Sequence, residues 1–393
     1  MTNENIVLFL GAGFSCDAGL PMMNNFASES DQEYIGISHQ GNAAKDATPI
    51  LLRAGEIFKK FQKYVLPISG LMNMDANNME DVFCLADMIQ GASVDKNIII
   101  PEVDNLGIDE IISNIRLWLW KIFQQCPPIN NSSDRKKEAW KNKQAYEDFF
   151  RFLVEKHKKD QNISILTTNY DLMPEFFINE VCGECTYNIC SGYNEWKVLP
   201  CSKNKFVHIN RDGLIPIHKL HGSVNYFFDD KANKDNINLV TDKLNPDMDA
   251  VGKSRASVFK NRPSLFPLEA IVELKKLNNG KIPIPAIIPP MYSKMESMQW
   301  LKSIWANASV VIKNAKTIVF IGYSFPQSDS FMKSFFQAAF LNRKNKQMPR
   351  IIDLDMDKNV INSYQRIFKN ISNADFLTGT FIQKCGDLIK MLS

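Results

Sequence analysis

Residues 6–15 read Ile-Val-Leu-Phe-Leu-Gly-Ala-Gly-Phe-Ser, an apolar run that ends in two closely spaced glycines. The run has no polar alternation, which is typical of a parallel strand buried on both faces. Residues 17–26 are predicted to continue as a helix, so Gly11 and Gly13 lie at a strand-to-helix turn, where backbone N–H groups can approach a pyrophosphate. The motif departs from G-x-G-x-x-G at Cys16. A plain tight connection therefore stays open as the alternative.

Four further apolar runs of strand length follow along the chain. They span residues 163–167, 286–288, 317–322 and 351–354, and helical patterns separate or follow them. Strands that alternate with helices predict an α/β fold, here a Rossmann-like doubly wound parallel sheet.

The segment between the first two predicted strands is too long for a single crossover. Apolar residues recur there at three- and four-residue spacing, which predicts helices over 49–64, 78–90, 107–124 and 139–158. We therefore interpret the chain as one domain, 1–393, with a Rossmann-like core formed by 1–30 and 160–393 and an inserted helical subdomain at 31–159. A smaller insertion at 181–265 carries a histidine motif and a polar stretch, 229–249, that is predicted to be a loop.

The composition narrows the classes of function. The chain has 393 residues, of which 45% are hydrophobic and 23% charged, as in an ordinary globular protein, and its net charge is +3. That charge is too small to indicate a dedicated nucleic-acid binder, and acidic residues such as Glu138 and Glu155 lie within or beside the basic stretches 135–143 and 156–159. The sequence shows no secretory signal and no apolar run of about 20 residues, and its eight cysteines are too few for a disulfide scaffold. We therefore expect a cytoplasmic protein without membrane association or direct nucleic-acid binding.

Short polar side chains follow the second predicted strand. Thr168, Asn169 and Asp171 lie where that strand ends, and ligands of open α/β sheets bind at the carboxyl ends of the strands. Such side chains can form hydrogen bonds with a sugar or an amide. The alternative is that Asn169 and Asp171 only cap the helix that begins near Leu172.

A histidine pair occurs in the segment Ile217-His218-Lys219-Leu220-His221-Gly222-Ser223. On an extended segment, residues three apart point to opposite faces, so the two histidines are not expected to share one site. His221 precedes a glycine that permits a sharp turn, and its ordinary pKa near 6.5 suits a general base. A structural role stays open for both, and more so for His218.

Two later strands also end in residues suited to a nucleotide. Gly322 and Ser324 follow the run 317–322, and Asp355 follows the run 351–354, where a carboxylate can bind a ribose diol. Each of these is also an ordinary strand end when taken alone.

Taken together, the motifs have a specific resemblance. The segments 11–15, 168–171, 219–223 and 321–324 occur in the order and rough spacing of the sirtuin family. They look more like the bacterial sirtuin-like NADases of antiphage defence than the protein deacylases, which typically have Gln-Asn-Ile-Asp where this chain has Thr168-Asn169-Tyr170-Asp171. The resemblance covers nearly the whole chain.

The resemblance implies an NAD+ hydrolase that releases nicotinamide and ADP-ribose, with NAD+ as the substrate. It implies catalytic roles for Asn169, near the nicotinamide ribose, and for His221, as the base. The NAD-binding residues that it implies, together with the strand-end carboxylate, are Gly11, Ala12, Gly13, Phe14, Ser15, Thr168, Asp171, Gly322, Ser324 and Asp355. Two alternatives stay open, an NAD-dependent protein deacylase and a non-catalytic scaffold that binds NAD or ADP-ribose.

The cysteines bear on the deacylase alternative. In deacylase sirtuins a four-cysteine zinc module follows the histidine motif, whereas this chain has only Cys385 after His221. Cys182, Cys185, Cys190 and Cys201 cluster earlier with only one tight pair, so no metal is expected.

The resemblance also implies a biological setting. It implies antiphage defence by NAD depletion, a form of abortive infection, with the activity restrained by assembly. We therefore expect a homo-oligomer and a partner ATPase of the HerA family, with an Argonaute-type or other sensor as the alternative.

Overall fold

The computed structural model describes residues 5–22, 48–71, 75–92, 98–123, 142–159, 161–182, 187–189, 195–199, 206–208, 215–228, 237–240, 284–288, 299–325, 330–343, 348–355, 360–368 and 376–393. The strands are β1 (Asn5–Leu10), β2 (Ile99–Ile100), β3 (Leu106–Gly107), β4 (Asn162–Thr167), β5 (Tyr187–Ile189), β6 (Glu195–Leu199), β7 (Phe206–His208), β8 (Ile215–Lys219), β9 (Gly222–Phe228), β10 (Ile237–Val240), β11 (Pro285–Ile287), β12 (Thr317–Ile321), β13 (Arg350–Asp355) and β14 (Phe376–Thr378). The helices are α1 (Ala12–Cys16), α2 (Thr48–Leu71), α3 (Met79–Ala92), α4 (Ile108–Phe123), α5 (Lys143–Lys158), α6 (Met173–Cys182), α7 (Gln299–Asn314), α8 (Ser330–Leu341), α9 (Val360–Ile367) and α10 (Phe381–Leu392).

The main sheet is parallel throughout. Its seven strands lie in the order β14-β13-β12-β1-β4-β8-β5, and each neighbouring pair is parallel. From β8 to β14 the six strands β8, β4, β1, β12, β13 and β14 have the 3-2-1-4-5-6 order of dinucleotide-binding sheets, and β5 extends the edge beyond β8. The strand order reverses between β1 and β12, which is where such sheets bind their ligands.

Helices cover both faces of this sheet. On one face α7, α8 and α9 pack with residues such as Val7, Phe9 and Phe320. On the other face α5, α6 and α10 pack with residues such as Leu8 and Ile165. A sheet covered on both faces needs strands that are apolar on both sides, as β1 is. The predicted doubly wound Rossmann-like fold is confirmed.

The helical insertion is shorter than its predicted limits, 31–159. The helices α2, α3 and α4 share one apolar cluster, but α5 belongs to the cluster of the main sheet through residues such as Phe149 and Leu153. Both segments show the same apolar periodicity, so the sequence pattern alone does not separate a helix that covers the sheet from one in the insertion.

A second sheet lies against the helical insertion. Its order is β11-β9-β10-β6-β7, and Val224, Phe227 and Ile287 pack with α2, α3 and α4. The run 286–288 was predicted to belong to the main sheet, but β11 pairs antiparallel with β9 in this second sheet.

Two further boundaries differ from prediction. The predicted insertion at 181–265 includes β5 and β8, which are strands of the main sheet, and the polar stretch 229–249 contains the strand β10. Among the helices that the structure describes, none is long and apolar enough to cross a membrane.

Candidate functional site at the strand-order reversal

Two glycine turns lock together where the strand order reverses. The Gly11 N–H donates to the Ile321 carbonyl at 3.0 Å, and the Gly13 N–H donates to the Gly322 carbonyl at 2.9 Å. Gly322 in turn donates to the Leu354 carbonyl at 2.8 Å. The carboxyl ends of β1, β12 and β13 are thereby joined by backbone hydrogen bonds.

Glycine is required in both turns because the two backbones touch. Gly322 has φ +63°, and a Cβ on it would lie 2.5 Å from the Gly13 Cα. A Cβ on Gly11 would lie 2.5 Å from the Gly322 carbonyl oxygen. Real Cβ atoms do not approach other atoms so closely, so close backbone contact is a sufficient structural reason for these glycines.

The first helix begins inside the glycine motif. It is α1, Ala12–Cys16, with Gly11 as its N-cap, whereas residues 17–26 were predicted to form it, and 23–26 lie outside the described residues. The N–H groups of Gly11, Gly13 and Phe14 already donate within the protein. The predicted phosphate contact at this turn stays a prediction, and these three N–H groups are not free to make it in this conformation.

Phe14 lies in the core of the main sheet. Its side chain is fully buried and contacts the rings of Tyr146, Phe150 and Phe381. Tyr146 also donates its hydroxyl to the Phe14 carbonyl at 2.6 Å. The predicted contact between Phe14 and NAD is therefore not available to its ring, whereas Ala12 and Gly13 are half-buried.

The Asn169 amide is held from two sides. Its Nδ2 donates to the Gly11 carbonyl at 2.8 Å and to Ser15 Oγ at 3.1 Å. The Asn169 N–H donates to Thr167 Oγ1 at 3.0 Å. Asn169 and its neighbour Thr168 are half-buried, so the Asn169 amide is both fixed and within reach of a ligand.

The Asp171 carboxylate supports the Asn169 arrangement through two hydrogen bonds. Its Oδ2 accepts from Ser15 Oγ at 2.8 Å, and its Oδ1 accepts from the Met173 N–H at 2.9 Å, at the start of α6. Asp171 therefore has the capping role of the alternative interpretation, and it also orients Ser15. Ser15 and Asp171 are both buried, so their contacts are with Asn169 and other protein groups rather than at the surface.

The turn between β8 and β9 brings His221 to the same edge of the sheet. The Leu220 N–H donates to the Thr167 carbonyl at 2.9 Å, and the Val224 N–H donates to the Tyr170 carbonyl at 3.0 Å. Gly222 has φ +80°, and a Cβ on it would overlap the Ala286 carbonyl. His221 is thereby fixed next to the segment that carries Asn169.

Burial controls the chemistry of His221. Its side chain is 4% exposed, and desolvation lowers its pKa from 6.5 to about 3, so the imidazole is neutral at physiological pH. The His221 ring lies 6.1 Å from that of Trp305, and its Nε2 has no hydrogen-bond partner among the described residues. A buried nitrogen without a partner is unfavourable unless a ligand supplies one.

The strand alternation that predicted opposite faces for the two histidines does not connect them. β8 ends at Lys219, so strand alternation does not extend to His221. Alternation from Ile217, which faces α5 and α6, places His218 on the other face of the sheet, the face where Trp305 lies. Burial lowers the His218 pKa to about 4, which is in keeping with a structural role.

The remaining predicted residues line the other side of the reversal. Gly322 and Asp355 are half-buried, and Ser324 is exposed. Asp353, two positions before Asp355 on β13, was not identified from the sequence. Burial raises the pKa of its carboxyl group to about 8. Its neighbour Tyr364 donates its hydroxyl to the Tyr323 carbonyl at 2.5 Å.

Lys219 and Glu175 were also missed by the sequence analysis. Both are buried beside Asp171, and their charged groups lie 3.3 Å apart. The signal for Lys219 was present, because a lysine inside the apolar run 215–220 is rarely buried without a partner.

No metal centre is formed by the described residues, because no three His, Cys, Asp or Glu side chains among them could hold an ion together. Cys185, Cys190 and Cys201 lie outside the described residues, as does the side chain of Cys182. The predicted absence of a metal therefore stays a prediction.

Comparison with known proteins gives structural likenesses alone. No family model matches the chain, and no curated protein matches it. Among solved structures, Sir2Tm bound to a propionylated peptide is 9% identical with a TM-score of 0.39, covering 99% of this chain and 94% of that chain. A Sir2–p53 peptide–NAD+ complex is 8% identical with a TM-score of 0.39, with the same coverage.

A third structure is Sir2 in complex with the inhibitor EX-527, 2'-O-acetyl-ADP-ribose and a deacetylated p53 peptide. It is 9% identical with a TM-score of 0.37, covering 98% of this chain and 93% of that chain. These scores are too low to carry conclusions about this chain, so the doubly wound Rossmann-like assignment rests on its own strand order and on the glycine turns at the reversal.

Proposed function

We propose that the protein hydrolyses NAD+ at the nicotinamide N-glycosidic bond and releases nicotinamide and ADP-ribose. The observation that supports this most directly is the half-buried Asn169, held by Gly11 and Ser15 at the reversal of the strand order. Dinucleotides bind at that position in sheets with this strand order.

The orientation of the Asn169 amide leaves its oxygen for the substrate. Because Nδ2 donates to two protein groups, the Oδ1 atom is the one that can accept from a ribose hydroxyl or from the attacking water. Nicotinamide leaves as a neutral molecule, so the reaction needs no general acid. The positive charge that develops on the ribose in the transition state is stabilised by fixed, oriented oxygen atoms.

His221 is assigned a supporting catalytic role. With a pKa of about 3 its imidazole is neutral and can accept a hydrogen bond, but a base this weak removes a proton poorly. We therefore propose that His221 accepts a hydrogen bond from a ribose hydroxyl or the attacking water. Full proton transfer would require bound substrate to raise its pKa.

The experiment is to follow nicotinamide and ADP-ribose release from NAD+ by chromatography, for the wild-type protein and for Asn169→Ala. Asn342→Ala is the matched control, because Asn342 is exposed and bonds only within α8 among the described residues. We expect Asn169→Ala to lower the rate by roughly 10²-fold or more and Asn342→Ala to leave it unchanged. Equal release by Asn169→Ala and wild type would contradict the assignment.

The assay also separates the other functions considered for this site. NAD+ binding without nicotinamide release would favour the non-catalytic scaffold. Nicotinamide release only in the presence of an acylated peptide would favour deacylation. Binding is measured by calorimetry on the same samples, so a misfolded preparation is recognised.

The biological setting is proposed from the motif resemblance. We propose that NAD+ depletion serves antiphage defence in the cytoplasm, and that self-assembly or a HerA-family ATPase restrains the activity. Nicotinamide release is therefore measured with and without DNA and with and without the product of a neighbouring ATPase gene, and the mass of the assembly is measured by analytical ultracentrifugation. A fully active monomer that recovers no partner would contradict this setting.

A further inference from the structure

A buried ion pair lies directly behind the Asn169 network. Lys219 and Glu175 are 0% and 1% exposed, and Lys219 Nζ lies 3.3 Å from Glu175 Oε1. Lys219 Nζ also donates to the backbone carbonyl of Asp171. The pair thus connects the end of β8 and the first turn of α6 to the residue that orients Ser15.

Stability alone does not account for this pair. Removing two charges from water is costly, and well-packed apolar residues of similar volume are often at least as stabilising. Burial raises the pKa of Glu175, and the nearby Lys219 opposes that increase. A positioning role explains the charged groups at this place. The Lys219 ammonium group can hold the Asp171 carbonyl in a fixed direction, whereas an apolar side chain cannot.

The hydrogen bonds continue without a gap from the ion pair to Asn169. Lys219 holds the main-chain carbonyl of Asp171, and the carboxylate of the same residue accepts from Ser15 Oγ at 2.8 Å. Ser15 Oγ then accepts from Asn169 Nδ2 at 3.1 Å. A rotation of Asp171 would therefore displace Ser15 and weaken one of the two hydrogen bonds that orient the Asn169 amide.

We propose that Lys219 and Glu175 are positioning residues that set the orientation of Asn169 through Asp171 and Ser15. The expected effect on kcat rests on the proposed hydrolysis, whereas the orientation of Asn169 is a geometric property that does not depend on it. Neither residue needs to touch the substrate for this role.

The kinetic test compares Lys219→Met and Glu175→Gln with wild type. A misplacement of about 1 Å costs roughly 10²-fold in rate, so we expect kcat to fall by about that factor while KM changes by less than about twofold. Lys390→Met is the matched control because the Lys390 side chain is 83% exposed, and its kcat should equal that of wild type.

Coupling to Ser15 distinguishes positioning from general destabilisation. If Lys219 acts through Ser15, the change Lys219→Met should cost little further activity in a Ser15→Ala background, because residues that act as a unit are not additive. Independent losses that multiply would overturn the proposal. A lower melting temperature with unchanged kcat would overturn it as well.

Two additional measurements keep the test decisive. If Lys219→Met fails to fold, the double variant Lys219→Met/Glu175→Met is used, because it removes both charges together. We expect the double variant to fold and to show the same loss of kcat. A wild-type kcat in the double variant would refute positioning. If the wild-type protein releases no nicotinamide, the proposed function fails, and the positioning is read from crystal structures instead. Lys219→Met should then lose the bonds from Asn169 Nδ2 to Gly11 and Ser15, and their retention would overturn the inference.

Discussion

Gly322→Ala should be among the most damaging single changes in the protein. The new Cβ would lie 2.5 Å from the Gly13 Cα, about 1 Å inside an ordinary van der Waals contact. The φ of +63° at this position adds about 1 to 2 kcal/mol for a residue with a side chain, and overpacking in a rigid site adds about 1 to 3 kcal/mol. We therefore expect a loss of about 2 to 5 kcal/mol, a large part of the roughly 5 to 15 kcal/mol of a typical domain.

Equilibrium unfolding in urea measures this loss, with Gly386→Ala as the control. Gly386 lies inside α10, and a Cβ there would have no atom within 4 Å. Alanine at that position should stabilise the protein by about 0.5 to 1 kcal/mol, because glycine is unfavourable in a helix. A loss below about 1 kcal/mol for Gly322→Ala would refute the argument that the two glycine turns are in direct backbone contact.

Three other predictions concern the free energy of unfolding, and the structure gives the direction of each change. Gly222→Ala should lower the free energy of unfolding by several kcal/mol, roughly 3 or more, because its Cβ would overlap the Ala286 carbonyl at a φ of +80°; a wild-type urea midpoint would contradict this. His218 and His221 are held neutral, with pKa values lowered to about 4 and about 3. Their contribution to stability is therefore complete above pH 6.5 and is lost as the pH falls, by about 1.4 kcal/mol per unit for each. Unfolding curves of Asp353→Asn at pH 7.5 and 5.5 would show it, because Asp353 no longer titrates in that variant. The effect of pH on stability has the opposite direction at Asp353, because burial raises its pKa to about 8. Its contribution to stability is lost as the pH rises from about 4 to about 8. Asp353→Asn should therefore gain stability relative to wild type over that range.

The glycine motif shows which part of the site could be predicted from the sequence. A glycine pair after an apolar run predicted the turn at Gly11 and Gly13 correctly, because few other residues permit so close a backbone approach. The partner of that turn, Gly322, is distant in sequence, and its contact with Gly13 is set by the strand order. Strand order depends on long-range pairing, which local periodicity does not encode.

The errors have the same physical origin. The run 286–288 is three residues long and apolar, and such a run fits either sheet. The strand β10 lies within a polar stretch and pairs with β9, so its partner rather than its own composition makes it a strand. Lys219 and Glu175 meet only because β8 and α6 end next to each other in space.

The sequence pattern predicted the edge of the sheet where the candidate site lies, but not the role of each side chain. Asn169 follows a strand end, as predicted, whereas His221 was predicted on an extended segment and lies in the turn between β8 and β9. The main-chain bonds from 220 and 224 to the segment 167–170 bring the two residues together. Ser15 and Asp171 support Asn169 from buried positions. Burial depends on which helix covers a residue, and the sequence did not specify that for the segment 143–158.

The position of β1 has a consequence for how the protein is made. β1 is central in the main sheet, and its Leu10 pairs with Ile321 of β12, about 310 residues later. At a synthesis rate of about 5 to 20 residues per second, a ribosome needs roughly 15 to 60 seconds to provide that partner. During this interval one edge of a strand whose residues 6–10 are all apolar has no neighbour, which favours aggregation and the action of chaperones on the nascent chain.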